Sequence, residues 1–236
     1  MNLYNQWLND ITAGQKQLTI LIDPEKFVLE DAFAKAYLLK IPDATTHIFV
    51  GGSTDNSNQT DATVQLLKKH TTLPVFLFPG DYTQLTPKVD GVLLLSLLSG
   101  RNPEYLIHQH VQAAPILHRL AVEIIPTGYI LIDGGKETAV QRISKTVPID
   151  QKHIDLIQHT ALAGQHLGKK CIYLEAGSGA LYPVDPKIIK AVKQILDIPL
   201  IVGGGIRSTQ QMQAAYQAGA DMVVIGTAFE KQEFLH

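Results

Sequence analysis

The run Tyr173, Leu174, Glu175, Ala176, Gly177, Ser178, Gly179 holds the residues best suited to chemistry. It closes an apolar stretch at 171–174, so it reads as the end of a strand passing into a loop. Tyr173 and Glu175 are two residues apart and face the same side of that strand. Gly177 and Gly179 permit a tight turn around Ser178, whose hydroxyl and backbone N–H can hold oxygen atoms. A carboxylate so placed is a candidate general base for a hydroxyl proton. The structural alternative is an ion pair with a lysine at the same opening.

A second group is the triple glycine Gly203, Gly204, Gly205, followed by Ile206, Arg207 and Ser208; one helix and one strand later come Gly226 and Thr227. Glycines after an apolar strand let backbone N–H groups approach an anion with no side chain in the way. Gly226 and Thr227 precede a short terminal helix, whose N-terminus favours negative charge. One such turn would mean only a tight bend, whereas two after consecutive late strands point to a phosphate cup. The third group, Asp23, Pro24, Glu25 and Lys26 with Gly51, Gly52 and Ser53, offers hard oxygens from neighbouring strand ends. Asp23 and Ser53 could ligate magnesium, which takes few protein oxygens and keeps its other positions for water and phosphate. They could equally serve as a helix cap and a turn residue. Lys26 could pair with a phosphate.

These groups must be positioned by regular elements, and the pattern supplies them. Short apolar runs at 18–22, 47–50, 75–78, 91–95, 122–125, 171–174, 200–202 and 222–225 read as strands buried on both faces. Between them, 30–40, 59–70, 102–120, 151–167, 186–196 and 209–218 place apolar residues at helical spacing. Asp185 before Pro186 and Ser208 before Thr209 are start signals, and Gly219 after Ala218 is a stop. Alternation alone also suits a doubly wound sheet. The phosphate turns after the seventh and eighth strands favour one α/β domain over 1–236, a single (β/α)8 TIM-type barrel. Its third helix is expected to be irregular or missing, because 81–88 is too short for one. Residues 128–140 read as an extended segment turning back through Gly134 and Gly135.

Composition narrows the partners. The chain has 236 residues, 45% hydrophobic and 18% charged, enough for a sizeable core. Its net charge of −2, with scattered basic residues, argues against nucleic acid. One cysteine, Cys171, excludes an internal disulfide framework and suits a reducing cytoplasm. The N-terminus lacks a signal-peptide pattern, and no apolar run reaches the ~18 to 20 residues of a membrane helix, so stable membrane insertion is not expected.

Together the three groups, with Tyr129, Ile130 and Leu131, resemble the geranylgeranylglyceryl phosphate synthase family, which includes the bacterial heptaprenylglyceryl phosphate synthases. The resemblance spans nearly the whole chain. It implies a prenyltransferase that joins sn-glycerol 1-phosphate to a polyprenyl diphosphate through an ether and releases diphosphate. It implies that Lys26, Tyr173, Leu174, Glu175, Ala176, Gly177, Ser178, Gly179, Gly204, Gly205, Gly226 and Thr227 hold glycerol 1-phosphate. It further implies that Asp23 and Ser53 bind Mg²⁺, and that the protein is a homo-oligomer, a dimer or a hexamer. The stretch 95–103 is closer to the geranylgeranyl-type members than to the heptaprenyl ones. Leu93, Leu94, Leu95, Leu97, Leu98 and Tyr105 are available for a prenyl groove, although core packing explains most such residues. The short 81–88 segment would leave the barrel wall open for the tail. Two rivals use the same glycine turns. A phosphosugar isomerase or synthase needs an acid/base pair at the ends of strands one and five, where the 122–127 region offers only Glu123. A flavin-binding or non-catalytic phosphate barrel would use the cup alone.

Overall fold

The computed structural model describes residues 2–56, 58–231 and 234. Eight parallel strands close into a barrel in sequence order: β1 (Gln17–Ile22), β2 (Thr45–Val50), β3 (Val75–Leu77), β4 (Gly91–Leu97), β5 (Glu123–Leu131), β6 (Cys171–Glu175), β7 (Leu200–Gly203) and β8 (Met222–Ile225). Helices α1 (Leu3–Thr12), α2 (Asp31–Leu38), α3 (Thr60–His70), α4 (Gln109–Leu117), α5 (Ala139–Ser144), α6 (Ile154–His166), α7 (Pro186–Lys193), α8 (Thr209–Ala218) and α9 (Thr227–Glu230) accompany them.

The strands are apolar on both sides because both sides are buried. Ile20, Ile48, Val92, Ile130, Ile172 and Val202 pack outward against the helices. Phe49, Phe76, Leu93, Ile125, Tyr173, Ile201 and Met222 fill the barrel interior. Capping follows the local sequence: the Asp185 and Ser208 side chains accept from Lys187 and Gln211 N–H, and Gly219 ends α8 at φ +115°, a left-handed geometry that suits glycine.

Three elements depart from the sequence expectation. Helix α1 was not anticipated. Its Trp7, 2% exposed, stacks on Phe76 with ring centroids 6.1 Å apart and plugs the floor of the barrel. The Glu123 carboxylate accepts from the Leu3 and Tyr4 N–H groups at 2.6 and 3.2 Å, negative charge where the helix start favours it. Strand β5 does not stop at 125 but runs to Leu131, pairing with β4 from Glu123 to Tyr129 and with β6 from Thr127 to Leu131. Residues 128–140 therefore form no hairpin: 128–131 finish β5, Gly134 and Gly135 turn the chain, and Thr138 caps α5. Glu123 accordingly lies at the closed floor, far from the mouth.

No regular helix follows β3; a single 3-10 turn, Tyr82–Gln84, takes its place. A π-helical turn, Glu104–His108, leads into α4, a departure often found beside functional sites. Among the described residues, no helix is long and apolar enough to cross a membrane.

Candidate active site

At the C-terminal mouth of the barrel lies a cavity of about 330 Å³. Its walls bring together Asp23, Lys26, Ser53, Tyr173, Glu175, Gly177, Ser178, Gly179, Gly204, Gly205, Gly226 and Thr227. Residues about two hundred positions apart meet there because every parallel strand delivers its carboxyl end to the same rim. Leu174 and Ala176 stay out: both side chains are fully buried in the outer core between strands and helices.

Glu175 ends β6 and is only 6% exposed. Oε1 accepts from the Gly177 N–H at 2.6 Å. Burial raises its pKa to about 7, against a smaller opposing pull from the Tyr173 hydroxyl and the Gly177 N–H. The Tyr173 hydroxyl is fully buried and makes no hydrogen bond of good geometry among the described residues, although it faces the carboxylate. Phe78 and Tyr129 pack against the Tyr173 ring at centroid distances of 5.1 and 5.5 Å, which fixes the carboxylate's neighbour among aromatic rings.

The glycines at and just after the end of β7 are required by this carboxylate and its tyrosine neighbour. A Cβ on Gly204, whose φ is +81°, would lie 2.3 Å from Glu175 Oε1, and one on Gly203 would lie 2.2 Å from the Tyr173 hydroxyl. Across the cup the Ser178 and Thr227 hydroxyls meet at 2.7 Å, so the loops after β6 and β8 touch. Behind them the Arg207 guanidinium donates to the carbonyls of Ala180, Leu181 and Gly205, which binds the two glycine turns to each other. The sequence reading singled out no role for Arg207; its place two residues after the triple glycine was the available signal.

The neighbouring lip, after β1, is acidic. Asp23 Oδ2 pairs with Lys26 Nζ at 2.6 Å, and Glu230, which sequence reasoning missed, reaches the same ammonium at 3.5 Å. The Asp23 N–H also faces Glu230 Oε1 at 3.4 Å. Ser53 lies on the neighbouring loop, and a Cβ on Gly52 would stand 3.3 Å from Asp23 Oδ1, so the loops after β1 and β2 abut. Among the described residues no three His, Cys, Asp or Glu side chains gather closely enough to hold an ion by themselves.

A second, apolar cavity of about 100 Å³ opens from the first, sharing Gly52, Ser53, Phe78, Tyr129 and Val140 with it. It runs between β4 and the segment that replaces the third helix, lined by Tyr82, Leu85, Leu94, Leu95, Leu97 and Tyr105. Leu93 and Leu98 are instead core residues, one inside the barrel and one outside it. The absent helix thus leaves the barrel wall open between β4 and the 3-10 turn, as the shortness of 81–88 suggested.

Residues 9–235 match the model of the PcrB family. The chain belongs to the PcrB family. Its relatives there include the geranylgeranylglyceryl phosphate synthase of Zunongwangia profunda, 60% identical over 221 residues and covering 94% of each chain. The synthase of the same name from Flavobacterium johnsoniae is 53% identical, covering 97% of this chain and 93% of its own. Among solved structures, (S)-3-O-geranylgeranylglyceryl phosphate synthase from Thermoplasma acidophilum, in complex with its substrate sn-glycerol-1-phosphate, superposes with a TM-score of 0.88 at 38% identity. That match covers 98% of this chain and 92% of the other. The PcrB barrel here therefore carries the expected fold over nearly the whole chain.

Proposed function

We propose that this protein joins sn-glycerol 1-phosphate to geranylgeranyl diphosphate, forming an ether-linked geranylgeranylglyceryl phosphate and diphosphate. The observation that carries the reading is the position of Glu175, a buried carboxylate in the wall of the glycine-lined cavity, beside Tyr173, whose ring packs on the Phe78 and Tyr129 rings that this cavity shares with the apolar groove. Backbone N–H groups around Gly204, Gly205, Gly226 and Thr227 receive the phosphate, at a strand-to-helix turn that favours negative charge. That clamp presents the glycerol hydroxyl to Glu175, which takes its proton as the oxygen attacks the allylic carbon. A carboxylate with a pKa near 7 suits that task at neutral pH better than an ordinary one. The C–O bond to diphosphate breaks as the ether bond forms, and the prenyl tail lies in the groove along Leu94, Leu95 and Tyr105.

We infer that Mg²⁺ assists at the acidic lip. Asp23 and Ser53 are hard oxygen donors on abutting loops, and a pair of protein ligands leaves the other positions to water and diphosphate, as magnesium prefers. Bound there, the ion would neutralise charge on the departing diphosphate. Lys26, held by Asp23 and Glu230, would add a cation on the same side.

The test is product analysis with purified protein, Mg²⁺, labelled sn-glycerol 1-phosphate and polyprenyl diphosphates of several lengths. A geranylgeranyl ether as main product supports the reading. A heptaprenyl ether would reassign the donor. Glycerol phosphate binding without any ether would remove the reaction and return the phosphosugar alternative.

A further inference from the structure

We infer that Gln84 is a positioning residue that sets the diphosphate side of the active site, a role that rests on the reaction proposed above. Gln84 sits in the 3-10 turn that stands where a third helix would be, and it is 3% exposed. Strands β2 and β3 end their pairing at Val50 and Leu77, with one further bond from the Phe78 N–H to the Val50 carbonyl. Past that point the loops after the two strands are tied through one amide. Gln84 Oε1 accepts from the Gly80 N–H at 3.0 Å, and Gln84 Nε2 donates to the Gly52 carbonyl at 3.2 Å.

The two loops press together where they are tied. A Cβ on Gly80 would lie 2.5 Å from the Gly52 carbonyl oxygen and 2.8 Å from that of Ser53. Ser53 borders both the cup and the groove, and Gly52 abuts Asp23. At its other face the same turn is held from α4, where the Gln109 side chain accepts from the Tyr82 N–H at 3.1 Å. Tyr82 and Leu85, on either side of Gln84, line the groove. One buried amide therefore couples the wall of the apolar groove to the loop that presents Ser53. Only a group with a donor and an acceptor fits between an N–H and a carbonyl. Leucine would orphan both, and glutamate would set a carboxylate against the Gly52 oxygen.

The experiment compares Gln84→Leu and Gln84→Glu with the wild type. It measures kcat and KM for geranylgeranyl diphosphate, half-saturation by Mg²⁺, calorimetric affinity for sn-glycerol 1-phosphate alone, and Tm. Donor KM and Mg²⁺ half-saturation should rise roughly tenfold, the usual scale for losing an outer-shell partner. Affinity for glycerol phosphate should stay within about twofold, because the phosphate cup lies across the barrel on the other loops. Equal losses in all the binding readouts, or none, would overturn the role. If the wild type forms no ether with any donor, the reaction itself has failed. The tether is then read with inorganic diphosphate and Mg²⁺, whose calorimetric binding Gln84→Leu must weaken for the inference to stand.

Discussion

Replacing Glu175 by glutamine should make the protein both inactive and more stable, and the two effects come from the same burial. The folded carboxyl has a pKa of about 7 against an ordinary value of 4.5. A raised carboxyl pKa means that the folded state keeps a proton that the unfolded chain has already released. Stability is therefore full below the ordinary value, declines as pH rises through the window from about 4.5 to about 7, and is level above it. At about 1.4 kcal/mol per unit, the loss is about 3 kcal/mol by pH 8. Glutamine carries no charge at any pH, and its Oε1 can still accept from Gly177. The variant should then match the wild type near pH 5 and exceed it by roughly 6 to 12 °C in Tm at pH 8. Turnover should fall by roughly 100-fold or more, the contribution expected of a general base, while binding of glycerol phosphate persists. In the wild type kcat/KM should rise with pH through an inflection near 7, when the base ionises, and this limb should vanish in the variant. Thermal unfolding from pH 5 to 9 and steady-state rates check both halves. A variant no more stable than the wild type at pH 8 would refute the buried-charge argument, and one retaining most of its turnover would remove Glu175 as the base.

Other perturbations separate the parts of the site. Gly204→Ala places a Cβ 2.3 Å from Glu175 Oε1 on a backbone at φ +81°, so glycerol phosphate binding should be lost, as calorimetry would report, with Tm lowered by the strain. Asp23→Asn should raise the Mg²⁺ needed for half-maximal rate by roughly 10- to 100-fold and leave glycerol phosphate affinity unchanged; a rate independent of this substitution would remove Asp23 as ligand. Trp7→Ala empties the floor of the barrel and should cost about 3 to 5 kcal/mol of stability with little change in KM, measured by denaturant unfolding and steady-state kinetics.

The carboxyl ends of the strands show how far the sequence alone reached. Apolar runs bounded by glycine, proline and acidic residues are local signals, so β1 to β8 and the residues leaving them, Asp23, Ser53, Glu175 and the glycines after β7 and β8, were legible from order and spacing. The missing third helix was legible too, because 81–88 is too short to form one. Helix α1 was missed although Leu3, Tyr4, Trp7 and Leu8 carry helical spacing, since a short amphipathic helix is marginal until the barrel floor offers it a surface. The end of β5 was misplaced because Pro126 and Gly128 read as breakers, whereas pairing with β4 and β6 on both sides holds them extended. Only the tertiary structure decided which charges meet. Lys26 is shared by Asp23 and by Glu230, some two hundred residues away, and Gln84 spans two loops that no spacing rule connects. The pKa of Glu175 belongs to the same class. A sequence names the carboxylate, but its proton affinity is set by how completely Tyr173, Gly203 and Gly204 exclude water from it, and barrel closure alone brings those residues together.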